Sequence, residues 1–188
     1  MKAVFLDKDG ALEDAIAWKV EPRCITLRSG AGAALRLLAG LDYRFIVVSD
    51  QAAIAHGHVD EEAMGPVAHR IGDLMFREQV ALDGFYYCPH HPKGSVMRYA
   101  LPCPCRKPQP GLMLKAALEH QIDLRSSWVV GPRLHDVEAG NRAGCRTLLI
   151  DNGTETEWRL GPRRVPTRIA PDLYAAAILI ASEGDERR

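Results

Sequence analysis

The chain has 188 residues, enough for one domain with a full core and too few for two ordinary ones. Lys plus Arg and Asp plus Glu stand at 24 each, a formal net charge of zero. That balance argues against a nucleic-acid binder working through bulk electrostatics and against a polybasic membrane surface. Lys2 and Asp7 interrupt the N-terminus too early for a signal peptide, and the longest apolar run, 175–181, is too short to cross a bilayer. Five cysteines, an odd number without a secretion signal, imply a reducing, cytoplasmic setting.

In chain order, short apolar runs alternate with helical patterns. Strands are expected at 3–6, 45–48, 85–87, 128–130 and 147–150. Helical spacing occupies 30–39, 61–79, 111–120 and 137–143, and the run at 175–181 reads as a C-terminal helix. Wholly apolar strands separated by helices indicate an α/β fold, a doubly wound, mostly parallel sheet covered on both faces. The expectation is one domain over 1–188, ending in a polar tail at 183–188. In such sheets the ligand crevice lies beyond the carboxyl ends of the strands. Chemistry-bearing residues follow several of these runs: Asp7-Lys8-Asp9-Gly10, Ser49-Asp50-Gln51, Arg106-Lys107 and Gly131 to Asp136.

The segment 88–105 is the most specific. It holds three of the five cysteines and two of the seven histidines. Cys88, His90, Cys103 and Cys105 form two pairs, each with one intervening residue, and Pro89, Pro104 and Pro108 stiffen the turns. Three thiolates and an imidazole make a closed tetrahedral set suited to a structural zinc with no open position for water. His91 is the surplus imidazole. Arg106 and Lys107 follow at once: Lys107 offers a compact cation for a phosphate, Arg106 a flat fork for a second anion or a sugar hydroxyl.

Asp7 and Asp9 close the first strand. Residues two apart in an extended chain project to one side, so both carboxylates can face one crevice. One can attack a phosphorus while the other, held protonated, supplies a proton to the leaving oxygen. Gly10 permits the exit turn. Ser49 offers a hydroxyl to a phosphate oxygen, or caps the helix that follows.

These segments together resemble a known family. Phe5 to Leu12 is similar to the nucleophile motif of haloacid-dehalogenase-type phosphatases. Tyr87 to Gly111 resembles more narrowly the D-glycero-D-manno-heptose 1,7-bisphosphate 7-phosphatases and their histidinol-phosphatase relatives, and the resemblance spans about 3–150. It implies a fold with little or no cap domain and an Mg-dependent removal of a sugar's 7-phosphate through an aspartyl-phosphate. Asp7 would be the nucleophile and Asp9 the general acid and then base. Ser49 and Lys107 would hold the phosphoryl group, Arg106 the substrate, and Cys88, His90, Cys103 and Cys105 the zinc. Magnesium would take Asp7, the Asp9 carbonyl, the phosphate and a carboxylate after Val130. The only partner expected is a small phosphorylated sugar, with no nucleic acid, no membrane and a monomeric chain.

Four positions depart from the family pattern. Where the family has Gly-Asp-x-x-x-Asp, this chain has Gly131-Pro132-Arg133-Leu134-His135-Asp136. Pro132 has no side-chain donor, so the magnesium site is expected to be weakened, with Asp136 able to fill the gap only through a shifted backbone or a water. Arg133 keeps a cation for phosphate. Ala11 replaces a Thr, Asp50 an Asn and His56 an Arg. Two readings follow: a sugar phosphatase, slow or altered in substrate, and a non-catalytic relative that binds a phosphosugar or a protein partner.

Overall fold

A computed structural model describes residues 1–13 and 21–185. Six strands form one sheet: β1 (Lys2–Asp7), β2 (Tyr43–Asp50), β3 (Gly84–Cys88), β4 (Trp128–Gly131), β5 (Arg146–Ile150) and β6 (Arg168–Ala170). Their order is β3-β2-β1-β4-β5-β6 and every neighbouring pair is parallel. The order reverses between β1 and β4, and the crevice of a doubly wound sheet opens at that reversal.

The apolar runs are strands because both their faces are covered. Val4, Leu6, Phe45, Val47, Trp128 and Val130 join one core with α1 (Ala31–Ala39), α3 (Met64–Arg77) and α6 (Leu173–Asp185). The alternate residues Ala3, Phe5, Ile46, Val48 and Val129 pack on the other face. There they meet α4 (Gly111–His120), through Leu112, Met113 and Ala116, and α5 (Leu134–Ala143), through Ala139. Gly140 lets α5 lie close on the sheet: a Cβ there would come within 2.6 Å of Thr147 Cγ2 and 2.8 Å of Val129 Cβ. A short helix, α2 (Ala52–Ala55), follows β2. Among the described residues no second folded unit stands over the strand ends, and the segment between β3 and α4 is largely loop.

The five expected strands and the main helices are all present. β6 is additional, a three-residue edge strand with an exposed arginine and isoleucine that lacks any apolar run. α5 begins at Leu134, because the Asp136 carboxylate accepts from the Arg133 backbone N–H at 3.0 Å and caps the first turn. The tail expected at 183–188 is helical through Asp185, with residues 186–188 outside those described. Glu183 is fixed by Arg146 at 2.8 Å and Arg168 at 2.9 Å.

Candidate active site

The cleft is built at the carboxyl ends of β1, β2 and β4. Asp7 is the last residue of β1, placed there because its strand neighbours Phe5 and Leu6 are fully buried and fix the register. Gly10 turns the chain at φ 90°, a conformation L side chains rarely adopt. A Cβ at Gly10 would lie 3.0 Å from Pro132 Cγ, so Pro132 faces the nucleophile loop from across the cleft. Asn152 closes that loop from another side, donating from Nδ2 to the Gly10 carbonyl at 2.8 Å.

Lys107 is buried and its ammonium bridges two carboxylates, in close contact with Asp7 Oδ1 and 2.6 Å from Asp136 Oδ1. Two buried carboxylates share one cation, so ionising both would leave an excess negative charge. Burial, assisted by repulsion from Asp136 and Asp9, outweighs Lys107 and pushes the Asp7 carboxyl up to about 8. Burial also works against the charge on Asp136, but Lys107 and His135 prevail and hold it below the usual carboxylate range. Lys107 is driven above its ordinary value: burial opposes its charge, and Asp136, Asp7 and Asp50 outweigh it.

The structure gives the other expected residues these local partners. Ser49 is fully buried; its hydroxyl donates weakly to Asp9 Oδ2 at 3.4 Å and accepts from Gln51 Nε2 at 2.7 Å. The residue preceding α2 is Gln51, so Ser49 does not cap that helix. Asp50 accepts from the Lys107 backbone N–H at 3.3 Å and helps seat that lysine. Arg133 precedes α5 and presents its backbone N–H to Asp136. One Arg106 nitrogen donates to the His90 carbonyl at 3.3 Å, tying the cation to the cysteine–histidine loop.

Several participants escaped the sequence reading. Lys8 lies buried, its ammonium 2.5 Å from Asp9 Oδ1 and in close contact with Glu13 Oε1. Alternation assigns Lys8 to the side away from Asp9, but β1 ends at Asp7 and the chain then turns. Gln51 orients Ser49. Glu155 accepts from the Leu134 backbone N–H at 2.7 Å and ties the loop after β5 to the start of α5. None of these follows a motif; each depends on how distant loops meet.

The four ligand atoms of Cys88, His90, Cys103 and Cys105 lie within 4.8 Å of one another, the donor set for a metal ion. Cys88 Sγ is 3.4 Å from Cys103 Sγ and 3.8 Å from His90 Nδ1, and Cys105 Sγ is 3.6 Å from that nitrogen. Zinc–sulfur bonds of about 2.3 Å and zinc–nitrogen bonds of about 2.0 Å in a tetrahedron set sulfur and nitrogen roughly 3.5 Å apart, close to the 3.6 Å of the Cys105–His90 edge. The Cys103 and Cys105 sulfurs meet as a disulfide. A metal ion bound here would take both sulfurs as thiolates, so the zinc form of this loop is the one in which that pairing is reduced. Burial pushes the Cys88 thiol up to about 11, against Arg106 and Lys107. His91 stands outside the set, its ring 4.9 Å from that of His56.

Comparison with known proteins agrees with this geometry. A family profile described as HAD-hydrolase-like matches residues 104–176. The D-glycero-beta-D-manno-heptose-1,7-bisphosphate 7-phosphatase of Salmonella typhi is 34% identical over 148 residues, 79% of this chain and 79% of that protein. The chain belongs to the haloacid-dehalogenase (HAD)-like hydrolase family. The protein of the same name from Pasteurella multocida (strain Pm70) is 35% identical over 153 residues, 81% of this chain and 83% of that one. A crystal structure of D,D-heptose 1,7-bisphosphate phosphatase from B. bronchiseptica, complexed with magnesium and phosphate, matches with a TM-score of 0.77 at 25% identity. It covers 97% of this chain and 99% of that one. As a HAD phosphatase the chain is a phosphoric monoester hydrolase. No described helix is long and apolar enough to cross a membrane.

HAD phosphatases use magnesium, and the residues present fit a divalent cation on charge. Asp7 and Asp136 aim two buried carboxylates at one point with a single ammonium between them. Magnesium is commonly held by one or two carboxylates together with waters and substrate phosphate. Pro132 adds no donor, so the set is one carboxylate poorer than the family pattern.

Proposed function

We propose that this chain is an Mg-dependent phosphatase that removes the 7-phosphate of D-glycero-D-manno-heptose 1,7-bisphosphate or a closely similar phosphosugar. The observation that carries the reading is the buried Asp7 at the sheet's reversal point with the Lys107 ammonium on its carboxylate. A nucleophile and a phosphate-holding cation are already in contact where the crevice opens.

In this mechanism an Asp7 oxygen attacks the phosphorus and the bond from phosphorus to the sugar oxygen breaks. Asp9 delivers a proton to that leaving oxygen. Water then attacks the aspartyl-phosphate, Asp9 takes the water's proton, and inorganic phosphate leaves with Asp7 regenerated. Lys107, Ser49 and the Arg133 side chain hold the phosphoryl oxygens, and Arg106 contacts the rest of the sugar. Lys107 approaches the substrate from its bridge between Asp7 and Asp136, so an arriving phosphate competes with carboxylates for one ammonium. Positioning and charge neutralisation do nearly all the work in such transfers. Asp7, Asp9 and Asp136 would hold a magnesium ion, which would supply positive charge to the transferring phosphoryl group.

The loop of Cys88, His90, Cys103 and Cys105 holds a structural zinc in this reading and fixes Arg106 and Lys107 over the cleft. The chain acts as a single monomeric unit in the cytoplasm. The non-catalytic alternative raised by Pro132 is not favoured, because nucleophile, lysine and second carboxylate converge intact and the named relatives are phosphatases. The test is phosphate release from heptose 1,7-bisphosphate at saturating magnesium, wild type against Asp7→Asn. Turnover in wild type alone is expected; equal background rates in both overturn the proposal.

A further inference from the structure

Beyond the cleft, where α5 ends, four arginines converge on one concavity. Arg142, Arg159, Arg163 and Arg164 line a cavity of about 450 Å³ in which, among the described residues, Glu138 is the only acidic one. Glu138 is buried and organises two of them: Oε1 accepts from Arg142 Nε at 2.9 Å and Nη2 at 2.6 Å, and Oε2 from Arg164 Nε at 2.7 Å. Burial opposes its charge, but Arg164 and Arg142 outweigh that and hold the carboxyl below its ordinary range. Four guanidiniums against one carboxylate leave three positive charges in the wall. Counting the exposed Arg159–Glu157 contact at 3.3 Å still leaves two.

The wall is fixed in place. Asn141 Nδ2 donates to the Arg163 carbonyl at 2.9 Å and the Val165 carbonyl at 3.0 Å, strapping the loop onto α5. Arg164 Nη1 donates to the Arg159 carbonyl at 3.4 Å. A cation in the last turn of α5 is explained by the helix dipole, which accounts for Arg142 alone. Arg159, Arg163 and Arg164 stand on the loop, where the dipole gives no reason for them. Glu138 and Asp136 are two residues apart, about 200° around the helix, so this cavity and the catalytic cleft use opposite sides of α5.

Guanidinium forks held in a concave wall are the arrangement that recognises phosphate oxygens in pairs. In a chain whose net charge is zero, a local excess of two or three cations is a feature of the place and not of the whole surface. We propose that this cavity binds a phosphorylated small molecule at a site separate from the substrate cleft. The proposal does not depend on which phosphosugar the cleft hydrolyses.

Inorganic pyrophosphate is a suitable probe, titrated calorimetrically into the wild-type protein and into an Arg159→Glu/Arg163→Glu double variant. Both positions are exposed, so the variant should fold. Wild type should show a second class of sites beside the cleft's own. The double variant should lose that class or weaken it by at least about tenfold, the scale of one charge-assisted hydrogen bond. Its phosphosugar turnover should stay within about twofold of wild type, because it touches no cleft residue. In wild type, ¹⁵N-detected Arg Nε signals of Arg142 and Arg164 should shift on titration. A single class of sites in wild type, or a titration the charge reversals leave unchanged, overturns the proposal. So does a proportional loss of turnover, which would assign these arginines to the substrate cleft.

Discussion

At the scale of single residues, Pro132 sets the most direct question. It occupies the position after β4 where a carboxylate would face the Asp7 loop, and it packs its ring toward Gly10. Asp7 and Asp136 both contact the Lys107 ammonium in the cleft. A cation entering this site therefore finds charge but one donor too few. Pro132→Asp should lower the magnesium concentration for half-maximal activity by at least about tenfold, the scale at which one well-placed charged ligand acts. Mn²⁺ binding followed by electron paramagnetic resonance should tighten in parallel, without any substrate present. If the variant's Mn²⁺ affinity equals wild type's, Asp136 already supplies the missing ligand. Much of this residue set was legible in the sequence, because Asp7, Asp9, Ser49 and Lys107 follow strands or a prolyl turn that restrict where they point. Lys8 was not, since its burial depends on the exact residue at which β1 stops.

Among the elements, the segment between β3 and α4 connects metal-type ligands to the two cations proposed for substrate over a very short stretch. Cys105, Arg106 and Lys107 are consecutive, and Arg106 also grips the His90 carbonyl. Any change in how Cys88, His90, Cys103 and Cys105 meet is carried to Lys107 with little chain to absorb it. Cys88→Ser replaces a thiolate with a poor zinc ligand. The expected result is loss of zinc by elemental analysis and a fall in kcat/KM of about a hundredfold, the cost of ångström-scale misplacement of a positioning group. Full zinc occupancy with an unchanged kcat/KM in that variant would separate the loop from catalysis. This element was legible for chemical reasons: soft donors and prolines at close spacing restrict what a loop can be. β6 was not legible, because three edge residues with one buried side chain carry no periodic signal. The early start of α5 was hidden for a related reason, since the Asp136 cap operates through the backbone of Arg133.

For the whole molecule, the parallel sheet separates two jobs along the strand axis. Carboxyl ends of β1, β2 and β4 build the cleft, while the opposite end of the sheet carries structural contacts. Arg146 opens β5 at that opposite edge, its guanidinium 4.2 Å from the Trp128 ring centroid and paired with Glu183 of α6. Arg168 of β6 reaches the same carboxylate, so Glu183 joins the C-terminal helix to the last two strands. The Arg146 and Glu183 side chains are 17% and 13% exposed, which places the pair between the surface and the interior. Fully exposed pairs contribute little, whereas breaking a buried pair costs several kcal/mol by stranding the remaining charge. Glu183→Ala should therefore destabilise the fold by about 2 kcal/mol, read as a lower urea midpoint with unchanged slope. Because the contact lies at the end of the sheet away from Asp7, kcat and KM of the folded variant should match wild type. A change in KM without a change in the urea midpoint would show that the two ends of the sheet are coupled, contrary to the separation the strand polarity imposes.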